Sequence, residues 1–298
     1  MEITVKLKKR FVSDIGSKVN IFDEPYFSER LKVFGEYESW LQFVDLVERL
    51  GGEEQFNQEL FRIKDNLIDT IKTSSTYNYL QEINFDFSDN KYGDVDVYNM
   101  NYDGKLLMSI DLRQGNNQAY YHLSQEKGLD YNYKRFQDLV KKFTDEPYFI
   151  NSRFIRQVVF GNTNPKRIGN YEKQLMLTYI VPRLEELGLN IVSLKNDEVI
   201  VELDKADESL LTDPKLNQLD VHINIYKLHR LLGTHSGFYR EMIYSNENIK
   251  RDFKGVSAFE MLFVIKKLNN VQVSENDYII HTEYGLARLL NIPNVEVE

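Results

Sequence analysis

"LGLNIVSLKNDEVIVELDKA", residues Leu187–Ala206, decides how the chain is read. Two runs rich in β-branched residues flank Asn196-Asp197-Glu198, and Asn-Asp is turn chemistry. The stretch predicts a hairpin over Leu189–Leu203 with Asn196-Asp197 at or beside its turn. It also sets two carboxylates, Asp197 and Glu198, side by side where the chain reverses. Immediately upstream, "YEKQLMLTYIVPRLEELG" (Tyr171–Gly188) has helical apolar spacing. Gly188 is its expected C-terminal cap, and Pro182 inside it predicts a kink.

Working outward, "NKYGDVDVYNMNYDGKLLMSIDL" reads as a second hairpin, turning at Asp103-Gly104, with a strand Lys105–Leu112 that ends at Asp111. The N-terminal "EITVKLKKRFV" alternates and predicts a strand. "SERLKVFGEYESWLQFVDLVERLGG" and "EEQFNQELFRIKDNLIDTIKT" predict amphipathic helices. After Asp111, "RQGNNQAYYHLSQEKGLD" predicts a turn and a short helix. "YNYKRFQDLVKKFTDEP" predicts a helix stopping near Pro147. "NSRFIRQVVFG" predicts a short helix capped by Asn151 or Ser152, and "NTNPKRIGN" a loop. "FDEPYFSERL" and "TDEPYFINSRF" share a turn-and-helix-start pattern. Further on, "NIYKLHRLLG" and "SAFEMLFVIKKLNN" read as helices.

The chain has 298 residues, 42% hydrophobic and 28% charged, the balance of a globular protein with one large core or a few smaller ones. No apolar run reaches membrane-span length, and "MEITVKLKKRF" lacks a signal-peptide core, so a cytoplasmic, non-membrane protein is expected. With no cysteine, disulfides, thiolate zinc sites and a cysteine nucleophile are excluded. The composition, rich in Asn, Lys, Ile and Tyr and poor in Ala, points to AT-rich codons and to a low-GC bacterium or its phage. Net charge is −9, yet Lys134–Lys173 carries Lys134, Arg135, Lys141, Lys142, Arg153, Arg156, Lys166, Arg167 and Lys173 against Asp138, Asp145, Glu146 and Glu172. A basic stretch in an acidic chain is either a solvated helix face or a phosphate-binding surface.

Two strands each close on an aspartate. If they are neighbours in one sheet, Asp111 and Asp197 converge and repel unless a divalent cation lies between them. Magnesium suits such oxygen ligands, with substrate phosphates completing its coordination, and two ions would serve an in-line phosphoryl displacement. On pattern alone, strand-terminal aspartates are more often turn formers.

"VPRLEELGLNIVSLKNDEVIVEL" (Val181–Leu203) closely resembles the palm segment of family A DNA polymerases, the DNA polymerase I type. There a helix ending Pro-Arg-Leu-Glu-Glu-hydrophobe-Gly leads into a hairpin turning at His-Asp-Glu. The resemblance puts a metal-binding aspartate at Asp197 and its adjoining glutamate at Glu198, with Asn196 replacing the histidine. "SIDLRQGNNQAYYHLS" resembles the family's first palm motif. It places the other metal aspartate at Asp111, the glutamine at Gln114 and the histidine at His122, while Asn116 replaces a glutamate near the incoming sugar. "RFIRQVVFGNTNPKRIG" can be laid on the fingers helix, with Arg156 at the triphosphate, Phe160 as the stacking aromatic and Asn164 for a tyrosine. Alternatively "FGNTNPKR" matches a later Phe-Gly-Arg-rich loop and the fingers helix is missing. The Gln-Gly-Thr opening the last palm helix is Ile168-Gly169-Asn170 here.

The resemblance spans Leu106–Leu203, and the Asp111–Asp197 interval is shorter than the family's. It implies an α+β fold, an antiparallel palm sheet backed by helices at 105–205, between an N-terminal α/β region (1–104) and a mostly helical C-terminal extension (206–298), with mainly helical additions at both ends. The implied activity is template-dependent nucleotidyl transfer with two magnesium ions, or manganese, held by Asp111 and Asp197. Arg156, Lys166 and Arg167 would contact triphosphate or nucleic-acid backbone. Expected partners are a DNA or RNA template and primer, nucleoside triphosphates, and a second polypeptide supplying fingers or thumb. The rival reading is a palm that has lost catalysis and serves as a nucleic-acid-binding, replisome or virion subunit.

Overall fold

The computed structural model describes residues 3–247 and 251–290. Its first part is helical throughout: α1 (Val5–Ile15), α2 (Tyr26–Phe34), α3 (Tyr37–Arg49), α4 (Glu53–Lys72) and α5 (Ser75–Glu82). The strand expected at the N-terminus, and with it the α/β character of 1–104, is corrected to helix. Thr4 caps α1 by accepting the Leu7 N–H at 3.3 Å, and Leu7, Phe11 and Val12 bury one helical face. Short-range alternation of Ile3, Val5 and Leu7 mimicked a strand over that face. Phe11, Phe27, Trp40, Phe43, Phe56 and Tyr148 form a run of contacting rings that ties these helices together.

The next strand, β1 (Leu106–Leu112), is where the sequence places it. The expected hairpin partner is not. Residues Met100–Tyr102 form a 3-10 turn. The segment before it lies along a later strand, with the Leu194 N–H donating to Gly93 O and the Val95 N–H to Ser193 Oγ. Next come α6 (Gly115–Lys127), α7 (Phe136–Val140), α8 (Pro147–Asn151), α9 (Arg153–Gly161, capped by Ser152) and α10 (Pro165–Leu175). The helix expected to stop near Pro147 is short, and Pro147 instead opens α8, the first-turn position its missing N–H favours. The loop expected at 162–170 holds over 162–164, and from Pro165 onward the segment is α10. α10 continues through a π-helical turn (Met176–Ile180) into α11 (Val181–Glu186). This turn, just before Pro182, takes up the distortion that the sequence assigns to that proline. Gly188 follows with φ +67°.

The predicted hairpin is β2 (Asn190–Leu194) and β3 (Glu198–Glu202). β4 (Val221–Arg230), β5 (Phe238–Ser245) and β6 (Arg251–Lys254) join it in one six-stranded antiparallel sheet of order β2-β3-β1-β4-β5-β6. The fold is α+β, an antiparallel sheet flanked by helices, as the sequence implies. The mostly helical reading of 206–298 is corrected. "NIYKLHRLLG" is the body and end of β4, and among the described residues there only α12 (Ala258–Leu268) is α-helical; β7 (Ile279–Thr282) and β8 (Gly285–Arg288) form a separate hairpin. The sheet is buried on both faces. Val221, Ile223 and Ile225 enter the main core with Met108, Ile110, Val199 and Val201. Tyr226 and Leu228 pack on the other face with Leu107, Ile200 and Val97. Apolar residues on both faces hide the period of two.

The main core runs without interruption from Leu7 to Ile225, so the N-terminal helices and the sheet share one interior. Among the described residues no helix is long and apolar enough to cross a membrane.

Candidate functional site

β1 pairs with β3 so that Asp111 stands opposite Glu198, and with β4 so that it also stands opposite His222. The three residues form one row across the sheet, on the face of Leu107 and Ser109. Asp197 sits in the β2–β3 turn, its carbonyl accepting the Leu112 N–H at 2.9 Å. The turn is thereby fastened beside Asp111, and both aspartates line one cleft of about 1070 Å³.

A fourth carboxylate adds to Asp111, Asp197 and Glu198. Glu172 of α10 is 6% exposed. It lies in a notch between two glycines: a methyl on Gly115 would meet its Oε1 at 2.8 Å, and one on Gly169 would come within 3.8 Å of its Oε2. The same methyl on Gly169 would be 2.7 Å from Asn196 Nδ2, so the bare glycine also lets the turn settle on α10.

The electrostatics follow from crowding. Burial first, then Asp197 and Glu198, push the Asp111 carboxyl up to about 7, with Lys254 and Arg240 pulling back. Burial, then Asp197 and Asp111, push Glu172 up to about 8. Glu198 is raised as well, by burial above all. Such mutually repelling carboxylates are the donor chemistry of a hard divalent cation. Among the described residues, however, no three His, Asp or Glu side chains stand together at metal-ligand spacing. The residues suit such an ion in donor type and are not at ligand spacing as they stand.

Cations line the same cleft. Arg113, Lys134, Arg135, Lys141, Arg153 and Arg156 all line the cleft. Arg113 reaches Asp220 at 3.4 Å; the other five have no carboxylate partner among the described residues. Burial and the neighbouring Arg153 both lower the Arg156 pKa, the signature of a partly desolvated guanidinium facing another cation.

The residues expected at the site divide. Asp111, Asp197, Gln114, Asn116 and Arg156 line the cleft, and Glu198 adjoins it. Gln114, with φ +51°, is committed to structure: its Nε2 donates to Gln137 Oε1, and its Oε1 accepts the Phe136 N–H, each at 3.0 Å. Of the remaining four, two are committed to packing and capping and two lie outside the cleft lining. Phe160 is buried against Tyr120 and Phe136, so its ring has no face open to a base. Arg167 donates to the carbonyls of Leu80 and Ile83, capping the end of α5. Lys166 is exposed outside the cleft lining. His122 lies between Tyr121 and Tyr179 in an adjoining groove that shares Arg113, Lys134, Arg135 and Asp220 with the main cleft. Sequence reasoning missed Glu172, His222 and Arg113. The window count included Glu172 only as one of four acids, and its place three residues after Gly169 was the available signal. Compared with known proteins, the chain matches no family model and no curated sequence.

Proposed function

We propose that this protein is a nucleotidyltransferase of polymerase-palm type that extends or makes a primer on a nucleic-acid template. One observation carries the reading: Asp111 at the end of β1 and Asp197 in the neighbouring turn line one cleft that also holds five cations without carboxylate partners among the described residues. The likeness of Leu106–Leu203 to the family A palm supports it. Asp111 and Asp197 would hold magnesium, or manganese. The bound ions would stabilise charge on the transferred phosphoryl group. Arg156 and Arg153 on α9 would bind the triphosphate, while Lys134, Arg135 and Lys141 track a strand backbone. Asn116, at the cleft floor, would face the incoming sugar. Primer extension with wild-type protein, across DNA and RNA templates, deoxy- and ribonucleotides and both metals, tests the proposal; no incorporation under any set overturns it.

Two expected outcomes follow for the basic wall. Binding to single-stranded DNA should weaken with salt at a log–log slope of roughly −3 to −4, about five phosphate contacts at about −0.7 each. A flat salt response in an anisotropy titration would remove phosphate from the cleft. Arg156→Gln should raise the KM for nucleoside triphosphate by about 10-fold or more, the loss of one charge-assisted contact. Its melting temperature should hold, because Arg156 makes no ion pair among the described residues.

The second reading is a palm without catalysis that binds nucleic acid, or a replisome or virion partner, alone or with a chain supplying fingers or thumb. The buried Phe160 favours it, since Tyr120 and Phe136 close its ring off from a base.

A further inference from the structure

We propose that the groove beside the cleft is a path for a single strand of nucleic acid, which leaves the cleft past Lys134 and Arg135 and lays its bases against Tyr121 and His122. The inference rests on the reading of the cleft as a nucleic-acid site and adds the route that the strand takes outward.

The groove encloses about 600 Å³ and borders the cleft, since Arg113, Lys134, Arg135 and Asp220 line both. α6 runs from one to the other. Its first residues, Gly115 and Asn116, line the cleft, and Tyr121 and His122, about 9 Å further along the helix axis, line the groove. A single-strand site needs charge for phosphate and flat rings for bases. The groove has the charge: three cations stand against one carboxylate, and Arg113 meets that carboxylate, Asp220, at 3.4 Å. Lys134 and Arg135 have no carboxylate partner among the described residues, so their charge is free to meet a backbone. It also has the rings. Tyr121 and His122 are half-buried with ring centroids 5.5 Å apart, and Tyr179 stands 6.5 Å from His122. Burial, then Lys134, hold the His122 pKa below its usual value, so the imidazole is neutral at pH 7 with an ammonium nearby. An unpaired base offers its face to such rings, and a base inside a duplex does not, so the lining selects single strands. Two polar side chains of the groove are spent on main-chain groups: Gln118 donates to the Arg113 and Asp220 carbonyls, and Asn246 to the Val221 carbonyl. Gln218, exposed in the lining, makes no side-chain hydrogen bond among the described residues.

The test measures fluorescence anisotropy of labelled oligothymidylate and oligouridylate, about 4 and about 16 nucleotides long, the span of a single binding module, on the intact protein at low salt. Wild type should bind the longer strand more tightly. Tyr121→Ala with His122→Ala should cut that advantage by about 10-fold, the loss of a base stack, in the DNA or the RNA series according to which strand the groove takes. Circular dichroism reports folding. If the double variant keeps the advantage in both series, or wild type has none while binding the short strand, the groove is no path and the cleft reading stands. If wild type binds neither length in either series, both fall. If the double variant does not fold, Gln218→Glu decides, because it sets a charge of the strand's own sign at an exposed position: a smaller advantage supports the proposal and an unchanged one overturns it.

Discussion

Asp197→Asn should lower magnesium-dependent nucleotide incorporation by a factor on the order of 10³ or more, while binding of primed nucleic acid stays as in wild type. The substitution keeps the shape of the β2–β3 turn, whose Asp197 carbonyl still accepts the Leu112 N–H. It removes a charge that would stabilise the transition state through the bound ions, a class of loss that reaches this size at preorganised sites. The cations of the cleft, which would carry the binding, are untouched. Stability should move the other way. The Asp111 carboxyl is raised to about 7, in part by Asp197. A carboxylic acid whose folded pKa exceeds its unfolded value weakens the fold as pH rises, from about 4 until the folded pKa is passed. In EDTA, wild type should therefore melt progressively lower between pH 4.5 and pH 8. Asp197→Asn should melt higher than wild type at pH 8, by on the order of 1 kcal/mol of stability after allowance for solvent access. Magnesium should raise the wild-type melting temperature and leave the variant's unmoved. A wild type that incorporates nothing and melts without regard to magnesium, beside a more stable variant, would establish the non-catalytic palm instead.

What the sequence could disclose followed locality. The β2–β3 hairpin was legible because its turn chemistry and β-branched flanks lie within a few residues of each other. Asp111 and Asp197 meet only because β1 pairs with β3, a distant register that no local pattern encodes; there the motif likeness did what periodicity could not. β4 was misread because both its faces are buried, so the alternation of His222, Asn224 and Tyr226 with Val221, Ile223 and Ile225 does not look amphipathic. α1 was misread because its cap and its face were outweighed by a few alternating residues. Of the nine basic residues in the Lys134–Lys173 window, Lys134, Arg135, Lys141, Arg153 and Arg156 do reach the cleft. Arg167 does not, since two carbonyls at the end of α5 claim its guanidinium, and a carbonyl's need for a donor leaves no mark on the sequence. Phe160 has the spacing of a stacking residue, yet Tyr120 and Phe136 take both sides of its environment. Glu172 was hidden because the two glycines that frame its carboxylate, Gly115 and Gly169, come together only in the packed structure.

The largest loss of stability is expected far from the cleft, at Asp277. This residue, 3% exposed, joins the C-terminal hairpin to both α2 and α12. Its Oδ1 accepts from Arg30 Nη1 at 2.7 Å, and its other oxygen pairs with Lys266. Arg30 also donates to the carbonyls of Asn276, Asp277 and Ile279, closing the turn that leads into β7. Arg30 and Lys266 are themselves buried, at 6% and 5% exposure. Asp277→Ala would leave two buried cations facing no carboxylate, a defect that costs about 3–5 kcal/mol. In a chain of this size that is a fall of roughly 6–15 °C in melting temperature. The pH dependence has a definite sign. Burial alone would raise the Asp277 carboxyl; the bonds from Lys266 and Ser274 outweigh it and hold the pKa below the usual carboxylate range. A depressed acid stabilises the fold at neutral pH and gives that stability up as pH falls through the folded pKa. Wild type should thus lose stability toward acid more steeply than Asp277→Ala. Replacing all three residues, as Arg30→Met, Asp277→Leu and Lys266→Met together, should recover most of the loss, since apolar packing can stand in for a buried ion cluster when no charge is stranded. Equal melting of Asp277→Ala and wild type at pH 7 would mean that the cluster is hydrated in solution and that the hairpin is held by its apolar contacts alone.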